Sequence, residues 1–93
     1  MSFDLGQLVT TAQVNADMRD NFDFNNDVTK ALYRYMSCDF SDMEHEKDIQ
    51  ANLDAIESGE SRIFASYKTT LGDIWIITEC DRSVTKVLYP SEY

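Results

Sequence analysis

The run Asp73-Ile74-Trp75-Ile76-Ile77-Thr78-Glu79-Cys80 constrains the fold more than any other stretch of the chain. Its β-branched and aromatic residues favour a strand, and the side chains of a strand alternate between two faces. Ile74 and Ile76 fall on one face and Trp75 and Ile77 on the other, so neither face can be left to water. The chain must build a sheet with this strand near its middle and find cover for both sides. Strand-like runs at residues 61–68 and 83–89 flank it across the short links Thr69-Thr70-Leu71-Gly72 and Asp81-Arg82. Links this short predict a three-stranded antiparallel meander.

The preceding residues read mainly as helices. Residues 5–10 suggest a short strand or an extended lead-in, and residues 11–20 a short helix opened by Thr11. Phe24, Val28, Ala31, Leu32, Tyr35 and Met36 then recur at the three-and-four spacing of one buried helical stripe. Asn25 or Asn26 is available as its cap, Asp27 suits the positive end of its dipole, and it should end near Cys38. Ser41 or Asp42 is expected to cap a third helix, with Glu44 in the capping-box position, Ile49, Leu53 and Ile56 as a narrow apolar seam, and Gly59 as the stop.

Helices first and strands last is the segregated order of an α+β fold. Ninety-three residues close a single core, so residues 1–93 are expected to form one domain, with amino-terminal helices packed on the meander. If they cover Ile74 and Ile76, then Trp75 and Ile77, with Phe64 and Val87 beside them, form a patch on the other face. Residues 3–9, a second copy of the chain or a partner must close it, which leaves monomer and homodimer both open.

A net charge of −9 bears on partners. All of it lies in residues 1–60, which hold thirteen Asp and Glu against four Lys and Arg, whereas residues 61–93 hold four of each. Such a surface attracts basic partners, is repelled by anionic lipid, and cannot neutralise nucleic-acid phosphates. Asp42, Glu44, Glu46, Asp48, Asp54 and Glu57 would lie along about 23 Å of helix, a length on which one DNA strand places about seven phosphates. At about 100° per residue they spread around the helix instead of forming a row. Two readings stay open: the solvated face of an amphipathic helix, or a surface for a basic partner.

Little else carries chemistry. His45 is the only histidine; it projects beside the Ile49 seam, as a boundary residue does, and no HExxH or CxxC spacing surrounds it. Cys38 reads as a small buried thiol and Cys80 as a structural thiol near a turn. There is no nucleophile elbow, glycine-rich phosphate loop or apolar-flanked carboxylate pair. A non-enzymatic protein without metal or cofactor is expected. The absence of an apolar leader or of an apolar run near 20 residues predicts a cytoplasmic protein.

The stretch from Asp73 to Thr85, IWIITE-x-DRS-x-T at its heart, and the closing Tyr89-Pro90-Ser91-Glu92-Tyr93 resemble a family of small proteins carried on plasmids, integrative elements and phages of gut bacteria. Phe3 with Leu5 to Val9 is similar to the FxxGQLV-like start of that family, and Asp39 to Met43 to its DWGDL-like segment, with Phe40 and Ser41 in place of Trp-Gly. The resemblance implies a mobile-element origin and carries over no catalytic residue. Mobile elements must evade host nucleases, whose nucleic-acid channels are basic. The leading expectation is therefore an inhibitor of anti-CRISPR or anti-restriction type that occupies such a basic surface. The alternative is a structural or regulatory interaction protein of the element, homodimeric through Trp75 and Ile77.

Overall fold

The computed structural model describes residues 3–93. The elements run β1 (Gln7–Thr10), α1 (Ala12–Asp20), α2 (Phe22–Met36), α3 (Glu46–Ser58), β2 (Ile63–Thr69), β3 (Gly72–Thr78) and β4 (Val84–Leu88), closed by a 3-10 turn, Pro90–Glu92. The class is α+β. The sheet is four-stranded and mixed, in the order β1-β4-β3-β2. β2, β3 and β4 form the antiparallel meander, with Ile76 opposite Ala65 on one side and Val87 on the other. The expectation of three strands is corrected by β1, which pairs parallel to β4 with Gln7 beside Val84 and Thr10 beside Val87.

Two local features seat β1. Gly6 has a positive φ of 63°, and a side chain there would drive into the Arg82 and Ser83 carbonyls, so only glycine lets the backbone come this close to the start of β4. Next to it runs a buried chain of hydroxyls. Thr85 Oγ1 donates to the Leu5 carbonyl (2.6 Å). With its single proton so used, Thr85 accepts from Thr78 Oγ1 (2.7 Å), and Thr78 in turn accepts from Tyr35 Oη (2.7 Å). The chain ties α2, β3, β4 and the amino-terminal segment together through fully buried groups.

Helix boundaries follow from which side chains are free to cap. Thr11 accepts from the Val14 N–H (3.2 Å) and opens α1. Asn21 closes α1 by donating its N–H to the Asp17 carbonyl, and opens α2 by accepting from the Phe24 N–H (3.0 Å). One residue thus serves both helices, and α2 begins before the Asn25 or Asn26 cap expected from the pattern. Ser41 and Asp42 do not cap α3, because both side chains are bound to Arg34 Nη2, at 2.9 and 3.0 Å. The third helix starts later instead, at Glu46, with His45 in the N-cap position and no side-chain bond there. Gly59 ends it in the left-handed conformation, its N–H bonded to the Ala55 carbonyl.

Ile63, Ala65, Tyr67, Ile74, Ile76, Thr78, Thr85 and Val87 point to the helical side of the sheet and are buried with Val14, Phe24, Val28, Ala31 and Tyr35. Val87 therefore belongs to the covered face, not to the Trp75 patch. Helix α3 lies along the outer edge of β2. Asn52 donates to the Phe64 carbonyl (2.5 Å) and accepts from the Phe64 N–H (3.0 Å), which pairs that edge residue as a neighbouring strand would.

Candidate functional site

On the side of the sheet away from α1 and α2, Phe64, Trp75, Ile77 and Leu88 form an apolar surface, with Trp75 opposite Ser66 and Leu88 in register. The amino-terminal segment does not close it, as one expectation had it. Phe3 instead packs edge-on against Tyr35 on the helical side, 5.2 Å between ring centroids. The cover comes from the other end of the chain. Tyr93 stands edge-on to Trp75 at 5.6 Å, and Trp75 edge-on to Phe64 at 4.9 Å.

The 3-10 turn that delivers Tyr93 is anchored at several points. Glu92 Oε1 accepts from the Tyr89 N–H (2.9 Å) and from Thr11 Oγ1 (2.8 Å), and Tyr89 Oη donates to Asp17 (2.5 Å). Arg62 lies over the Tyr93 ring and donates to its hydroxyl. Ile77 is left 3% exposed and Leu88 6%. Trp75 stays half-buried, and it forms one wall of a groove of about 270 Å³ that Phe64, Ser66, Lys68 and Asp73 floor and the segment from Asp42 to Asp48 rims.

The six acidic residues separate into different roles along that segment and α3. Asp42 pairs with Arg34 at 3.0 Å and accepts from the Lys68 N–H at 3.3 Å, and these contacts hold its carboxyl below the ordinary range. Asp39 completes the clamp, bonded to Arg34 Nε at 2.9 Å and likewise held low. Arg34 also lies over the Tyr67 ring, 5.2 Å from its centroid, while the Tyr67 hydroxyl donates to the Asp39 carbonyl. Asp54 accepts from Gln50 (2.9 Å) on the outer side of α3.

Glu44, Glu46, Asp48 and Glu57 are exposed and have neither ion pair nor hydrogen bond among the described residues. Glu46 and Asp48 sit in the first turn of α3, where the helix dipole favours their charge. Glu57 lies at the far end of the helix. Glu44, His45 and Asp48 are brought together at the rim of the groove facing Trp75. A cationic side chain entering this groove would meet two unpaired carboxylates and an indole ring, the combination that ion pairing and cation–π attraction favour.

Trp75 was expected as a self-association residue, and its place beside the acidic rim could not be read from sequence, because α3 reaches β3 only by running along β2. Arg34 and Tyr93 were missed as well. The closing Tyr-Pro-Ser-Glu-Tyr did hold a signal, since Pro90 at the start of a turn and Glu92 three residues after Tyr89 form a local capping arrangement.

Cys38, half-buried after α2, and Cys80, exposed beside Asp81, lie on separate parts of the fold and are not joined in a disulfide. Burial pushes the Cys38 thiol up, away from the reactive thiolate. Among the described residues no group of three or more His, Cys, Asp or Glu side chains could hold a metal ion, and no helix is long and apolar enough to cross a membrane. Comparison with protein-family models, curated proteins and solved structures finds no match for this chain.

Proposed function

We propose that this protein is a non-enzymatic, acidic binding domain of a mobile element, acting in the host cytoplasm on a host enzyme that targets nucleic acid, a CRISPR effector or restriction nuclease. It would inhibit by occupying the basic surface through which the enzyme holds its own substrate. The observation that carries this reading is the pair of unpaired carboxylates, Glu44 and Asp48, facing Trp75 across an open groove. The excess of acidic residues in the first sixty supplies the long-range field, and the resemblance to mobile-element proteins supplies the setting. Of the six carboxylates, Glu44, Glu46 and Asp48 form the contact, Glu57 extends the field, and Asp42 and Asp54 shape the segment that presents them.

Capture from a host lysate with tagged protein, at low and at moderate salt, identifies the target. Reversal of Glu44 and Asp48 to Lys should abolish capture and inhibition while leaving the fold intact, since exposed charges add little to stability. Capture that is unaffected by both salt and charge reversal would replace this reading with an apolar interaction protein of the element.

A further inference from the structure

We propose that two copies of this chain associate through the outer edge of β1 to form a continuous eight-stranded sheet. The two edges of the sheet are treated differently. α3 and the Asn52 amide cover β2, whereas β1 has no neighbour on its outer side among the described residues. The Gln7 N–H bonds the Ser83 carbonyl and the Thr11 N–H the Val87 carbonyl, so the alternation of a parallel ladder turns the N–H and C=O of Leu8 and Thr10 outward. Gln7 to Thr10 contain no charge and no proline, the usual devices that keep an edge from pairing.

The occupant that fits is the same strand run antiparallel. A two-fold axis through Val9 sets Leu8 opposite Thr10 of the partner copy and exchanges four backbone hydrogen bonds with no residue left over. Beside the edge, on the helical side, Leu5, Leu8, Thr29, Leu32, Tyr33 and Met36 line an apolar groove of about 300 Å³. Leu8 and Met36 are 46% exposed and Tyr33 68%, so the two-fold also brings apolar patches together. In a molecule of net charge −9, this uncharged groove and edge let two copies approach with least repulsion, and they hold no charge to select a basic partner. The pairing is independent of the acidic groove. It would set the two copies' open faces on the same side, with the β2 strands about 34 Å apart at about 4.8 Å per strand step.

Light scattering on the intact chain up to about 1 mM, together with hydrogen exchange of single amides, tests the inference. The wild type should approach twice the monomer mass at high concentration, and the Leu8 and Thr10 amides should exchange about tenfold more slowly there than in dilute solution. Leu8→Lys should remain monomeric, while Leu71→Lys, which places the same charge in the β2–β3 turn, should dimerise as the wild type does. A monomeric wild type at the highest concentration overturns the proposal, whether the edge then takes a partner's strand or none. A dimer persisting in folded Leu8→Lys overturns it too. Should Leu8→Lys fail to fold, the wild-type amides decide: concentration-independent exchange at Leu8 and Thr10 rules the pairing out.

Discussion

Arg34 joins α2 to the segment that rims the groove, through Asp39, Ser41, Asp42 and the Tyr67 ring. Because Asp39 and Asp42 are held below the ordinary carboxyl range, the fold binds fewer protons than the unfolded chain once pH falls towards that range. Their contribution is complete above about pH 5 and is lost progressively as the solution is acidified through the ordinary carboxyl range and below it. Arg34→Met should therefore lower stability by about 1 kcal/mol at neutral pH, a modest figure because the three side chains are partly exposed. It should also flatten the acid limb of the stability curve. Urea unfolding of wild type and variant between pH 2 and pH 7 measures both effects. In the core, Thr78→Val removes two buried hydrogen bonds, leaving Tyr35 Oη only the Ile63 carbonyl at 3.3 Å and Thr85 Oγ1 only the Leu5 carbonyl, which should cost about 1–3 kcal/mol in the same assay. A neutral result at Thr78 would mean that the chain is not what ties α2 to the sheet.

Among the elements, α3 is the one whose position makes the candidate site. Asn52 fixes it by pairing with both backbone groups of Phe64. Asn52→Leu should expose that edge, speed exchange of the Phe64 amide, and destabilise by about 1–3 kcal/mol through the unpaired carbonyl and N–H. Unchanged exchange would show that α3 is held by its apolar seam alone.

The same element marks where sequence reasoning ends. The two-sided apolar pattern of residues 74–77 locates β3 and its neighbours, and the stripe from Phe24 to Met36 locates α2, because both patterns repeat within one element. The start of α3 was misplaced because Ser41 and Asp42 look like caps until Arg34, on another helix, takes them. The pairing of β1 was missed for a related reason. It depends on Gly6 meeting Arg82 and Ser83, a contact between distant parts of the chain that leaves no local period. At the candidate site, the charges were legible and their division was not: only the fold separates Asp42, engaged with Arg34, from Glu44 and Asp48, which face Trp75.

For the whole molecule, one end of the chain covers the open face while the acidic segment remains available beside it. Tyr93 and its anchored turn bury Ile77 and Leu88, so the sheet face needs no partner to stay folded, and the groove can serve binding alone. Trp75 is the only tryptophan in the chain, so its fluorescence reports on the groove without a label. The most direct test of the acidic-groove account is therefore a titration of Trp75 emission with a tryptophan-free, arginine-rich peptide at low and at high salt. The account predicts a saturable change for the wild type that weakens at high salt, and an apparent affinity lower by about tenfold or more in the Glu44→Lys/Asp48→Lys variant. An unchanged emission, or equal binding by wild type and charge-reversed variant, would contradict it.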